Sequence, residues 1–329
     1  MKVLVTGGGG FVGKALVCRL VDLGHEVFSF SRRIYPEHQT WGVRDFQGDL
    51  TRATEVENAC QSMEAVFHVG AKVGIWGTYE EFFRVNVLGT QHVINACIKH
   101  KVRKLIYTSS ASVVFDGSDI EGGNESLSYP ARPVSNYTST KAQAEQLVIN
   151  ANSESLKTIA LRPHLIWGPG DTQLVPKIIQ RARSGRLRKP GRKDHLIDTT
   201  FIDNFIDAQI LAFEKLSINP VLGGRAFFIT NGEPVYIWDF INSVIQASGL
   251  PTIQKTVPKS LALLLAIVLE KTHQVLRLKK EPYLTRFVID ELCTHHWFDI
   301  SAAKRDLDYI PRISNREGYP CLSNALEVD

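Results

Sequence analysis

No stretch of this 329-residue chain is long and apolar enough to span a bilayer. The most suspect segment, Leu261–Leu269, falls far short of the ~20 residues a spanning helix needs. It reads first as a core helix. Lys271, Arg277, Lys279 and Lys280 follow it directly, which makes an interfacial or acyl-chain-facing helix, or a contact with a partner enzyme, the second reading. C-x-x-C spacing is absent too: Cys18, Cys60, Cys97, Cys293 and Cys321 lie far apart and read as reduced thiols of a cytoplasmic protein. The histidines show no H-x-x-x-H spacing, so no metal is expected. The net charge is only +4 and the basic residues are scattered, which gives nucleic-acid binding no support. There is no proline- or glycine-rich linker and no internal repeat. Met1-Lys2-Val3-Leu4-Val5 runs straight into glycines and leaves no room for a signal peptide.

What is present is the composition of a globular protein, 44% hydrophobic and 22% charged, with length enough for a substantial core. In the first half, short runs rich in Val, Ile, Leu and Phe alternate with helical stretches. The strands are expected at Lys2–Thr6, Glu26–Phe30, Ala65–Val69, Lys104–Thr108 and Lys157–Leu161. The helices are expected near Phe11–Leu23, Thr54–Gln61, Tyr79–His100 and Tyr137–Asn150. That alternation predicts an α/β fold: a Rossmann-type, doubly wound parallel sheet with a smaller, mostly helical C-terminal lobe. Residues 1–163 read as the dinucleotide-binding domain, to which about 196–230 return, and 164–329 as mainly a substrate lobe. Further elements are expected as a helix at Leu174–Ser184, a strand at Leu196–Ile202, a helix at Asn204–Leu216 and a strand at Ala226–Ile229. Tyr236–Leu307 reads as mostly helical.

Thr6-Gly7-Gly8-Gly9-Gly10-Phe11-Val12-Gly13 follows the first strand and opens the first helix. That is the context of a dinucleotide fingerprint: Gly7 for the sharp turn, Gly10 for close approach of a pyrophosphate, Gly13 for helix–strand packing. The diphosphate then meets the positive end of the helix. NAD-specific folds place a carboxylate after the second strand, but here that strand ends in Ser31-Arg32-Arg33. A hydroxyl and a guanidinium suit a 2′-phosphate, so NADP(H) is the expected cofactor, with NAD(H) left open. Asp49, after the third strand, is placed to meet the adenine.

Tyr137 and Lys141 stand four residues apart, one turn from each other on one helix face. An ammonium close to a phenol favours the phenolate, so Lys141 is expected to lower the Tyr137 pKa from ~10.

Seven motifs in order carry a resemblance that spans essentially the whole chain. They are Gly7-x-x-Gly10-x-x-Gly13, Gly48-Asp49-Leu50, His68-Val69-Gly70-Ala71, Asn86-Val87-Leu88-Gly89-Thr90, Tyr107-Thr108-Ser109-Ser110, Tyr137-x-x-x-Lys141 and Leu161-Arg162-Pro163. Together they resemble an extended short-chain dehydrogenase/reductase. Phe67 to Gly77, Ser112 to Gly117, Arg162 to Asp171 and His296-Trp297-Phe298-Asp299 are similar to its 3β-hydroxysteroid dehydrogenase-like branch. The resemblance implies Ser110 as active-site serine, with Ser112 a second candidate, and Tyr137 as proton donor. It implies that Lys141 holds the nicotinamide ribose, that Asn86 braces the helix, and that Phe11, Val12, Leu50, Ala71 and Pro163 line the cofactor. Lys72, Trp76, Tyr79 and His164 would flank the substrate, with Lys72 a partner for a carboxylate and Leu261–Leu269 a wall for an alkyl tail. A homodimer through the helices near Tyr79–His100 and Tyr137–Asn150 is also implied.

The expected reaction is NADP-dependent reduction of the 3-keto group of a hydrophobic substrate, such as a 2-alkyl-3-oxoalkanoate to the 2-alkyl-3-hydroxyalkanoate. A 3β-hydroxysteroid or sterol-4-carboxylate 3-dehydrogenase is the alternative. Nucleotide-sugar epimerases and dehydratases commonly carry an arginine where this chain has Ile197, which argues against that class. A non-catalytic cofactor sensor usually loses the tyrosine, whereas Ser110, Tyr137 and Lys141 are all intact here.

Overall fold

The structure is a computed structural model and describes residues 1–278 and 280–326, without side chains for 323–326. Seven strands form the central sheet: β1 Lys2–Thr6, β2 Glu26–Ser31, β3 Arg44–Gln47, β4 Ala65–His68, β5 Lys104–Thr108, β6 Lys157–Pro163 and β7 Arg225–Ile229. Their order is β7-β6-β5-β4-β1-β2-β3 and every pairing is parallel. Because successive side chains point to opposite faces, each strand feeds two cores. Val3, Val5, Phe67 and Ile106 pack with Leu16, Val17 and Leu20 of the Phe11–Asp22 helix and Phe205 and Ala208 of the Ile202–Ile218 helix. Leu4, Phe28, Val66 and Leu105 pack with Val93 and Cys97 of the Gly89–Lys99 helix and Ala144 and Val148 of the Asn136–Asn150 helix. All five cysteines are free thiols.

The strand order reverses at β1, which has β2 on one side and β4 on the other. A crevice opens there at the carboxyl ends of the strands, where doubly wound sheets hold their ligands. His68 straps it: Thr90 Oγ1 donates to the Asn86 carbonyl at 2.6 Å and so accepts from His68 Nε2 at 2.9 Å. His68 Nδ1 then accepts from Thr6 Oγ1 at 2.7 Å. Burial, and behind it the Lys141 charge, pushes the imidazole down to about 3, which keeps it neutral and suits this tautomer.

Two expectations are corrected. Tyr79–His100 is not one α-helix, because Phe83–Leu88 is a π-helical turn between Tyr79–Phe82 and Gly89–Lys99. Such turns concentrate at functional sites, and this one carries Asn86. The strand at Leu196–Ile202 is two pieces, Leu196–Ile197 and Thr200–Phe201, with a helix already starting at Ile202. Asp198 N still donates to the His296 carbonyl at 3.2 Å and its Oδ2 accepts from Phe298 N at 2.7 Å, whereas Thr200–Phe201 turns away to pair with Ile166–Trp167. The stretch after Tyr236 is mostly helical, as expected, with helices Ile237–Ala247, Lys259–Val275, Arg286–Leu292 and Ser301–Leu307, and it also holds short strands at Thr256–Val257 and His296–Phe298. His296–Phe298 is extended because it pairs with Ile120–Gly123 and with Ile197, partners far away in sequence.

Candidate active site

Ser110 leaves the end of β5 and caps a short 3-10 turn over Ala111–Val114, its Oγ accepting from Ser112 N at 3.2 Å. The Ser110 and Ser112 hydroxyls lie 2.8 Å apart. Tyr137 stands in the first turn of the Asn136–Asn150 helix, whose start is fixed by a capping box between Ser135 and Thr138. Burial raises the Tyr137 phenol to about 12, against the opposing pull of a hydrogen bond with Ser110. The structure thus brings Ser110, Ser112 and Tyr137 together.

Lys141 is fully interior, and its ammonium donates to Tyr107 OH at 2.7 Å and to the Thr108 carbonyl at 2.6 Å. Burial pulls it down to about 7, while the Glu145 carboxylate holds it up. The expected lowering of the Tyr137 pKa is therefore corrected. Helical spacing put the two residues on one face, but the lysine stem bends onto β5, and burial of the phenol dominates. Asn86 holds the parts in register: its Oδ1 accepts from Lys72 N at 2.7 Å, and its Nδ2 donates to Thr140 Oγ1 at 3.2 Å.

The glycine turn fits a dinucleotide. Gly7 has φ +71, and a Cβ there would lie 2.7 Å from Gly70 Cα across the crevice. A Cβ on Gly13 would come within 2.1 Å of the Gly7 carbonyl oxygen. Gly10 caps the helix without a side-chain bond, and no acid stands in the first turn beside Phe11 and Val12, which leaves donors for a diphosphate. Ser31 closes β2 with its Oγ 3.3 Å from Gly9 N. Asp49 lies close to Arg32: burial raises this carboxyl, but Thr51 hydrogen bonds and the charges of Arg32 and Arg52 leave it below its ordinary value. Leu50 packs at Gly70 beside Ala71, and Pro163 ends β6 in the sheet.

On the substrate side the expectations separate. His164 is buried and its Nε2 lies 2.6 Å from His296 Nδ1. The Lys72 ammonium instead pairs with Glu81 at 3.4 Å and sits over the Phe82 ring. Trp76 donates from its indole to the Leu278 carbonyl at 3.0 Å, and Tyr79 meets Gln143.

Sequence reasoning missed Glu291 and the role of His296. With Ala111, Ser112, Phe115, His164 and Phe298 they line a small cavity beside the serines. His296 Nε2 donates to the Glu291 carbonyl at 2.8 Å, so its Nδ1 accepts from His164. Burial, chiefly, holds His296 down at about 4, which keeps it neutral. Burial, reinforced by Asp290, raises the Glu291 carboxyl to about 8, and its charge registers on Tyr137. The one available signal was His296-Trp297-Phe298-Asp299; nothing local marks Glu291.

Residues 4–261 match the 3-beta hydroxysteroid dehydrogenase/isomerase family. The chain belongs to that family. It is an NAD(P)-dependent oxidoreductase. A 2-alkyl-3-oxoalkanoate reductase of Stenotrophomonas maltophilia is 46% identical over 97% of this chain and 97% of its own length. A decarboxylating sterol-4-alpha-carboxylate 3-dehydrogenase of Mus musculus is 36% identical over 96% of this chain and 88% of its own. Among solved structures, MoeE5 in complex with UDP-glucuronic acid and NAD has a TM-score of 0.77 over 100% of this chain and 99% of its own, at 24% identity. That likeness speaks for the Rossmann-type fold alone. In this family member Ile197 is fully buried, paired with Val235 and His296, and offers no cation to a sugar nucleotide.

Proposed function

We propose that the protein reduces the 3-keto group of a 2-alkyl-3-oxoalkanoate to the 2-alkyl-3-hydroxyalkanoate, with NADPH preferred over NADH. The observation that carries this is the hydrogen-bonded pair of Ser110 and Tyr137 beside a small cavity lined by Ser112 and Glu291, in a chain 46% identical to a 2-alkyl-3-oxoalkanoate reductase. The reduced nicotinamide, when bound, supplies the hydride. Ser110 and Tyr137 donate hydrogen bonds to the carbonyl oxygen as negative charge grows on it. Tyr137 then delivers its proton to that oxygen, which stays on the carbon as the hydroxyl of the product. Gly7, Gly10 and Gly13 with Phe11 and Val12 hold the diphosphate, and Ser31 and Arg32 receive the 2′-phosphate that favours NADPH. Lys141 positions the ribose. Ile197 keeps sugar nucleotides disfavoured.

The test is parallel oxidation of NADPH and of NADH with a 2-alkyl-3-oxo acid, a 3-ketosteroid and a UDP-4-keto-sugar. Turnover highest with the oxo acid and NADPH is expected. A better rate with the steroid or the sugar nucleotide rejects the substrate, and a better rate with NADH rejects the cofactor preference.

Glu291 refines the substrate reading. Below about pH 8 it is a neutral carboxylic acid, able to donate to the carboxylate of a β-keto acid. Above that pH it ionises and repels that carboxylate. The KM of the wild type for the oxo acid is therefore expected to climb as pH passes 8. Glu291→Gln keeps a donor and cannot ionise, so its KM should stay flat from pH 7 to 9. Parallel climbs in both proteins would remove Glu291 from substrate recognition.

A further inference from the structure

The Lys259–Val275 helix shows water the wrong residues. Its buried positions are Ala262, Ala266 and Glu270, four residues apart on one face, packed toward Ile289 and Cys293. On the opposite face Leu261, Leu264, Leu265, Val268 and Val275 are 54%, 58%, 50%, 52% and 79% exposed. Spacings of three, four, seven and fourteen residues from Leu261 put them on a single stripe. Expecting a core helix here was wrong, and the reason is geometric: periodicity reveals a stripe but not which side of the helix the rest of the chain covers. An exposed apolar patch of this length marks an interaction surface.

Charge says what the surface meets. The helix contains one acid, Glu270, and it lies on the buried face, bonded to Arg286 at 2.7 Å. Beyond the carboxyl end stand the exposed Arg277 and Lys280; Lys279 is outside the described residues. At the amino end the fold adds a second basic group from elsewhere in the chain. Lys189–Pro190 pairs with Thr256–Val257, immediately before the helix, and so brings the loop with exposed Arg186, Arg192 and Lys193 alongside. The nearby acids Asp194 and Glu281 are taken by Lys189 and Lys177. The result is an apolar stripe roughly 20 Å long, flanked at both ends by cations.

We propose that this helix lies along an anionic lipid bilayer surface, with its leucines in the acyl boundary and its flanking cations on the headgroups. Among the described residues no helix is long and apolar enough to cross a membrane, so the contact is parallel to the surface. A second copy docked through the same stripe is disfavoured, because twofold pairing sets basic flanks against each other. The helix is also wired to the active site. Trp76, in the loop after Lys72, donates to the Leu278 carbonyl and meets the His273 ring edge-on at 5.7 Å. The Arg286–Leu292 helix beneath packs Ile289 against it and carries Glu291 in the cavity. Seating the helix on a bilayer thus places the cavity one helix away from the lipid. The membrane contact does not depend on which ketone is reduced.

The test is flotation of the full chain with vesicles of neutral phosphatidylcholine alone or mixed with phosphatidylglycerol. Co-flotation with the anionic vesicles, weakened by 0.5 M salt, is expected. Leu264→Asp/Leu265→Asp should lower partitioning by about a hundredfold or more while NADPH binding and Tm are retained. Arg186→Ala/Arg192→Ala/Lys193→Ala should lower it by roughly fivefold per charge on anionic vesicles only. Absence of flotation, or equal flotation by the leucine variant, overturns the proposal. So does a concentration-dependent dimer that the leucine variant abolishes and vesicles leave unchanged, which would assign the stripe to a second copy.

Discussion

Tyr137→Phe is expected to lower kcat by about 10²–10⁴-fold and to leave NADPH binding and KM nearly unchanged. In the proposed reaction only its hydroxyl would meet the reacting oxygen, so phenylalanine keeps the ring packing against Phe82 and deletes the donor. The raised phenol pKa sharpens the direction of the effect. With burial holding it at about 12, the hydroxyl stays protonated at neutral pH and is poised to give a proton to an alkoxide. The opposite reaction needs the phenolate, so alcohol oxidation should accelerate with rising pH, while ketone reduction should not. Steady-state rates in both directions, with Tm as control, test this. A Tyr137→Phe protein with full reductase activity would remove Tyr137 from the chemistry.

Glu145→Gln should cost about 3–5 kcal/mol of stability and should move the alkaline limb of kcat/KM to lower pH. Both effects come from one buried carboxylate. Arg162 clamps it through Nη2 at 2.7 Å and Nε at 3.1 Å, and Tyr129 OH donates to it at 2.7 Å. Neutralising Glu145 leaves the Arg162 charge buried and unpaired, which is where the cost arises. Replacing both partners, as in Glu145→Leu/Arg162→Met, should recover much of the Tm. The kinetic effect follows from sign. Burial depresses Lys141 to about 7, and Glu145 is what opposes it. Without that negative charge the Lys141 pKa falls further, so the ammonium is lost at a lower pH. Thermal melts of the three proteins and pH profiles of kcat/KM measure the two effects separately. An unchanged limb in Glu145→Gln would show that the Lys141 charge does not limit turnover.

The fold class and the glycine turn were legible in the sequence because each rests on local physics, and the family was legible through the resemblance of its motifs. A run such as Lys2–Thr6 must extend and be covered on both faces, and Gly7 and Gly13 are needed where a Cβ would strike backbone. The roles of Ser110 and Tyr137 came from that resemblance, and the structure places one at a strand end and the other in a capped first turn. What only the tertiary structure decided concerns groups that meet from distant segments. Helical spacing aligned Lys141 with Tyr137, yet Tyr107 and Thr108 on a neighbouring strand accept its hydrogen bonds and burial set both pKa values. His296 enters the site through a strand pairing that no local pattern announces, and Glu291 comes in on the helix before it. The apolar stripe of Lys259–Val275 was visible as composition, but its facing outward depended on alanines packing inward. Sequence determines which conformations each segment prefers; which neighbour a side chain meets is settled by the packing of the whole chain.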